Sequence, residues 1–335
     1  MNRSLVFILL LSTFASCIET TVSQGAYELS PVAGSNISAD TGSNTPDETE
    51  PAEETVTTKK NLSKIERQQR ESKLAQAEAD YLNKPDEANS YIWYGRRLAY
   101  LGRYHEAIDI YTEGLNRFPK SYKLLRHRGH RYLTIRQFDL AIEDLKNAVF
   151  YSNNEPNFEI EQDGIPNAMN RPLSNTKFNI WYHLGLSYYM KGNYDKAISS
   201  FRKCQDYSNN NDLMVRTVNW LYASYRKLGN VEGAQSLVVD IPSDLSLIEA
   251  ENKGYHDLIL LYRGFKSPNR LLQTYQGGTG YLNAVIGYGV ANYYLVEGRS
   301  ESAIPLFDRI LESDQWDSFG YIASEADKAS LSATL

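Results

Sequence analysis

The sequence predicts an all-α fold, a right-handed superhelix of about five to six helical pairs with a capping helix at each end. Three observations predict it. A stretch running from a glycine to an alanine occurs three times, at 95–107, 129–141 and 185–197. The first two copies lie 34 residues apart, the period of a two-helix repeat unit. Within each copy, large apolar residues recur at helical spacing, without the alternation of a half-buried strand.

Taken in order, a helix over 62–82 caps the N-terminal end of the array. The unit at 88–121 follows, with Gly95 and Ala107 as small residues at the crossing of its helices, Leu98, Tyr104 and Tyr111 as fillers, and Pro119 closing it. The unit at 122–151 uses Gly129, Tyr132, Phe138, Ala141, Leu145 and Ala148; that at 178–209 uses Trp181, Gly185, Tyr188, Tyr194, Ala197 and Phe201. Weaker copies are expected at 212–241 (Leu221, Tyr225, Gly229, Ala234), 244–276 and 281–317 (Asn292, Tyr294, Gly298, Ala303), with a cap over 321–331. Such arrays need caps because an open end exposes apolar surface. Gly277-Gly278-Thr279-Gly280 breaks the chain before the last unit. The third copy arrives about 22 residues late, so 150–177 is an insertion, rich in turn residues such as Asp163-Gly164 and Pro166-Asn167. It is expected to fold as a loop bordering the binding surface. The 61–335 span is thus one helical repeat domain.

The packing residues at this period resemble the tetratricopeptide repeat family. That resemblance implies a scaffold whose first helices line an inner binding surface and which carries no chemistry of its own. The runs Trp93-Tyr-Gly-Arg-Arg97, Leu124-Leu-Arg-His-Arg-Gly-His-Arg131 and Phe178-Asn-Ile-Trp-Tyr-His-Leu-Gly185 look like an uncharacterised bacterial group of such proteins, from which no activity carries over.

The N-terminus reads separately. Residues 1–16 combine Arg3, the apolar run Leu5–Leu11 and small residues at 15 and 16, the pattern of an export signal. Phe14-Ala15-Ser16-Cys17 resembles a bacterial lipobox, which implies Cys17 as a lipid anchor; an ordinary cleaved signal is the alternative. Ile18 is not the aspartate of inner-membrane retention, so an exported lipoprotein of the outer rather than the inner membrane is expected. Residues 17–60 hold eight acids against two lysines and read as a disordered tether. They account for the net charge of −6 and leave 61–335 at −1, so bulk acidity says nothing about the partner. Cys204 reads as a small core residue.

Candidate ligand contacts on the first helices are Trp93, Arg96 and Tyr100, then Lys123, Arg126, His127 and His130, then Asn179, Tyr182 and His183. Between Glu113 and Asp139 there is no acid, while Arg117, Lys120, Lys123, Arg126, Arg128, Arg131 and Arg136 add seven positive charges. Arginine forks grip carboxylates bidentately, so the expected occupant of the concave groove is a protein or peptide, acidic in character. The arrangement is loosely similar to carboxylate-clamp tetratricopeptide domains, except that His130 stands where those carry an asparagine. The competing reading is a solvated charged face, with Arg128 and Arg131 paired to Asp139, Glu143 or Asp144. A metal on His127, His130 and His183 is disfavoured by the surrounding positive charge. No nucleophile, zinc or phosphate-loop motif is present, so no enzyme and no cofactor is expected, and export argues against nucleic acid. A glycan-binding envelope lipoprotein and, behind it, a hydrolase or metal enzyme at the 150–177 loop are the rival functions.

Overall fold

A computed structural model of the chain describes residues 62–334, apart from Asp163, Pro166, Ala168 and 277–279. The chain divides into two units, Met1–Glu54 and Thr55–Leu335, and every element described lies in the second. The expected signal at 1–16, the lipid-bearing Cys17, the tether at 17–60 and most of the Gly277–Gly280 break lie outside the described residues.

Fourteen helices make up the described fold, with one isolated bridge between Ile160 and Asn175. Helix α1 (Lys64–Asn83) starts at a capping box: the Ser63 hydroxyl accepts from the Glu66 amide, and the Glu66 carboxylate accepts from the Ser63 amide. Six antiparallel pairs follow. They are α2 (Ala88–Tyr100) with α3 (Tyr104–Arg117), α4 (Tyr122–Thr134) with α5 (Phe138–Tyr151), and α6 (Thr176–Met190) with α7 (Tyr194–Gln205). Then come α8 (Asn211–Lys227) with α9 (Val231–Val238), α10 (Ala250–Tyr262) with α11 (Pro268–Tyr275), and α12 (Gly280–Val296) with α13 (Ser300–Leu311); α14 (Phe319–Thr334) ends the fold. No described helix is long and apolar enough to cross a membrane.

The threefold echo has a steric cause. A Cβ on Gly95 would stand 2.3 Å from the Tyr111 ring, one on Gly129 2.9 Å from Leu145, and one on Gly185 2.6 Å from Phe201. Each glycine lets the second helix of its pair lay a large apolar side chain directly on the backbone of the first. Tyr111, Leu145 and Phe201 are accordingly buried, as are Ala107, Ala141 and Ala197.

The turn inside each pair has its own signature. The second residue beyond the first helix has a positive φ at Gly102, Gly192, Gly229, Gly264 and Gly298, but in the second pair the position is Arg136, with φ of 65°. A non-glycine residue pays about 1 kcal/mol or more for that conformation. Arg136 is held there by a tie to the far end of the fold: its Nε donates to Glu325 at 2.8 Å, its Nη2 donates to the Trp316 carbonyl at 2.8 Å, and its guanidinium lies 4.0 Å from the Trp316 ring centroid. The Tyr104 hydroxyl reaches the same segment, donating to Asp317 at 2.7 Å. Helix α14 packs on α6, α12 and α13, and its Asp327 accepts from Lys227 at 2.7 Å, with both side chains buried. The C-terminal helix is therefore part of the interior.

Arg136→Ala keeps the strained backbone and loses the tie, whereas Arg136→Gly loses the tie and the strain. Both should melt below the native protein in thermal unfolding, with the glycine variant more stable than the alanine variant by about 1 kcal/mol.

Candidate functional site

Helix α4 carries the cations. It begins at Ser121, whose hydroxyl accepts from the Leu124 amide, and it lies between α2, α5 and α6. Five of the seven cations of the acid-free run find carboxylates delivered by other parts of the chain. Arg117 meets Asp86 on the loop before α2, Lys123 meets Glu159 at 2.5 Å, and Arg126 meets Glu161 at 2.9 Å. Arg128 forms a fork on Asp144 of α5, at 2.7 and 2.8 Å, and Arg136 meets Glu325. Lys120 is exposed. Arg131 has no carboxylate partner among the described residues and faces only the Tyr104 ring, at 5.6 Å. The pairing expected from α5 thus holds for Arg128 with Asp144, while Arg131 makes no such bridge.

Glu159 and Glu161 belong to the inserted segment, which lies as a strap across α2 and α4. The Glu161 amide donates to the Ser174 carbonyl and the Thr176 amide to the Glu159 carbonyl, each at 3.0 Å, so the two limbs of the insertion pair antiparallel. From that pairing, the Gln162 carbonyl accepts from Arg96 at 2.8 Å and the Gly164 carbonyl from Arg97 at 2.8 Å. Gly164 seats against Tyr100 so closely that a Cβ would stand 1.7 Å from the phenolic oxygen. The strap therefore docks by backbone carbonyls on α2 and by carboxylates on α4.

Beneath the strap the expected site residues come together in two groups. Trp93, Arg96, Lys123 and His127 border a channel of about 190 Å³ with Asn89, Glu161 and Gln162. The Arg96 guanidinium lies 4.5 Å from the Trp93 ring centroid and reaches the Tyr100 hydroxyl at 3.2 Å. Deeper, a half-enclosed cavity of about 100 Å³ is lined by Arg96, Tyr100, Tyr111, Arg126, His127, His130, Arg131 and Glu161. Arg126 Nη1 donates to His127 Nδ1 at 3.0 Å. A guanidinium has no acceptor, so the His127 proton sits on Nε2, which is 3.9 Å from Glu161 Oε1. Arg126 is 6% exposed and its Nε has no hydrogen-bond partner.

Asn179, Tyr182 and His183 are placed differently. All three are buried, and α14 lays Phe319 against Tyr182 and His183. The His130 and His183 rings stand 4.1 Å apart, each 5.7 Å from the Phe319 ring, and Tyr182 also packs on Phe319. Asn179 donates to the Ser174 hydroxyl at 3.0 Å, anchoring the strap. These side chains shape the wall behind the cavity and do not line it. Cys204 is fully buried, and burial pushes its thiol up to about 12, which makes it inert. Among the described residues, no group of three or more His, Cys, Asp or Glu is placed to hold a metal ion.

The sequence reading missed Glu159, Glu161 and the return of Trp316 and Phe319. A signal for the first two was present: in Phe158-Glu159-Ile160-Glu161 the acids alternate with apolar residues, the period of an extended segment.

The architecture is an all-α array of helical pairs. Residues 178–211 match the model of the tetratricopeptide repeat family. Over 127 residues, 38% of this chain, it is 25% identical to the BBSome complex member BBS4 of Bos taurus, of which it covers 20%. Among solved structures, a tetratricopeptide repeat protein from Parabacteroides merdae is 14% identical, covering 77% of this chain and 94% of its own, with a TM-score of 0.46. YrrB, described as a tetratricopeptide protein with an unusual peptide-binding site, is 14% identical, covering 75% and 97%, with a TM-score of 0.39.

His127, His130 and His183 all sit well below the usual imidazole value of 6.5. The first cause is burial, which disfavours the charged ring; neighbouring arginines add to it, with Arg126 leading at His127 and His183 and Arg131 at His130. The unfolded chain therefore binds more protons than the native one below about pH 6.5, and stability present above that value is lost as the pH falls. The thermal midpoint should be level above about pH 7 and drop steadily from about 6.5 towards 5; a midpoint that holds or rises over that interval contradicts this account of the histidines.

Proposed function

We propose that this protein is an interaction scaffold of the bacterial cell envelope that captures an acidic peptide segment of a protein partner beside the strap. The observation that carries the reading is the strap itself. It is a chain segment lying on α2 and α4 that delivers two carboxylates, from Glu159 and Glu161, to Lys123 and Arg126. That face accepts an acidic peptide in cis, and the channel beside it is still open. There Trp93 and Arg96 are only half-buried, offering an apolar plate and a planar cation to an incoming side chain.

The envelope setting rests on the export signal at 1–16 and on Cys17 as the lipid anchor, with the outer membrane favoured. The tether at 17–60 would hold the helical array off the bilayer.

A glycan-binding reading has one feature in its favour, a groove of about 500 Å³ rich in asparagine and bordered by Phe158. Its amides are largely committed within the chain: Asn175 donates to the Tyr207 carbonyl, Asn210 to the Leu173 carbonyl and Asn211 to the Ser246 carbonyl. Few are left to read sugar hydroxyls, so the peptide reading is preferred.

Full-length protein should bind an Asp/Glu-rich peptide more tightly than its Asn/Gln counterpart in fluorescence anisotropy, with affinity falling as salt rises from about 50 to 300 mM. Arg96→Ala and Trp93→Ala should each weaken binding about tenfold. Equal binding of the neutral peptide sinks the reading. In cells, Cys17→Ala should move the protein from the membrane to the soluble fraction, and an unchanged distribution removes the anchor from the proposal.

A further inference from the structure

Behind the peptide channel, the geometry points to a separate binding site: the cavity between α2, α3 and α4 takes a compact divalent oxyanion of the sulfate or phosphate class. Its occupancy does not require a peptide partner. Three guanidinium groups line it, from Arg96, Arg126 and Arg131, against the single carboxylate of Glu161. With both histidines neutral, the lining carries a net charge of +2.

Donors without acceptors occur among the residues that line this space. Arg126 is 6% exposed, and its Nε is buried without a partner. Arg131 makes no hydrogen bond or ion pair with a described residue, and its recorded contact is the face of Tyr104. The Tyr111 hydroxyl, on a side chain only 1% exposed, likewise has no acceptor among the described residues. Elsewhere in the fold the buried Arg128 and Lys227 meet Asp144 and Asp327, and the buried Lys177 is satisfied by the Asn153 carbonyl and the Asn157 side chain. In this cavity three cations face one acid in a largely desolvated space, where unpaired charge is costly.

Water alone would leave that charge uncompensated. A water molecule needs roughly 10–15 Å³ of such space, so about 100 Å³ admits a tetrahedral anion together with a few waters. A dianion balances the charge, and its four oxygens suit forked donors arriving from several directions. A lone carboxylate would leave half of the excess unmatched.

The test uses full-length protein at fixed ionic strength, with sodium sulfate replacing sodium chloride, read by thermal unfolding and by titration calorimetry. Sulfate should raise the midpoint saturably and bind at one site. Arg131→Gln, which removes a cation that pairs with no acid, should melt normally in chloride and bind sulfate at least about tenfold more weakly. Tyr111→Phe, which leaves the charge untouched, should weaken binding a few-fold. Trp93→Ala, which disables the peptide channel, should leave the sulfate response intact, so failure of this site and failure of the peptide reading are distinguishable. Equal responses to sulfate and chloride overturn the proposal. So does a native-like sulfate response in both Arg131→Gln and Tyr111→Phe, or its loss in Trp93→Ala.

Discussion

Everything in this fold depends on how closely two helices can cross at a glycine. Where Gly95 meets Tyr111, Gly129 meets Leu145 and Gly185 meets Phe201, the absence of a Cβ lets a large side chain rest on bare backbone. That contact fixes the rotation of each first helix about its own axis. The glycine face turns toward the partner helix, and the residues on other faces are directed to what comes next in the array. On α4, for example, Gly129 packs on α5 while Arg126, His127 and His130 point to the space shared with α2 and α6. A bulkier residue at the crossing would do more than loosen one pair, because it would turn those side chains away from their common cavity.

Given that geometry, charge decides the rest of the inner face. A run of cations without an acid in sequence is not a run without acids in space. The chain answers it from the loop before α2, from α5, from the inserted strap and from α14. Each answer is also a tether, so the electrostatics of one helix organises segments up to 189 residues away, the separation of Arg136 from Glu325. The strap is the least anchored of these pieces in apolar terms, with Phe158, Ile160 and Ile165 exposed. It is held by carboxylates and carbonyls. In the cavity of Arg96, Arg126 and Arg131 the cations exceed the acids, and an imbalance in a confined space is where an external anion gains most.

Much of this was legible in the sequence, for a physical reason. Steric constraints at helix crossings are local and periodic, so Gly95, Gly129 and Gly185 announce themselves through spacing. The candidate residues Trp93, Arg96, Tyr100, Arg126, His127 and His130 could be placed on one face because α2 and α4 are adjacent in chain and space. What could not be read was long-range. Nothing local says that Phe319 lies against His130 and His183, so Tyr182 and His183 read as groove residues although α14 covers them. The partners of Lys123 and Arg126 were hidden in the same way, inside an insertion whose extended pairing follows from contacts with 174–176.

The most direct measurement is anomalous diffraction from crystals of the full chain grown with selenate as the sole divalent anion. The account predicts one strong selenium peak within hydrogen-bonding distance of the Arg126 and Arg131 guanidinium groups, in the cavity bordered by Tyr111 and Glu161. A cavity that holds only water, with selenate confined to exposed lysines such as Lys120, would contradict it.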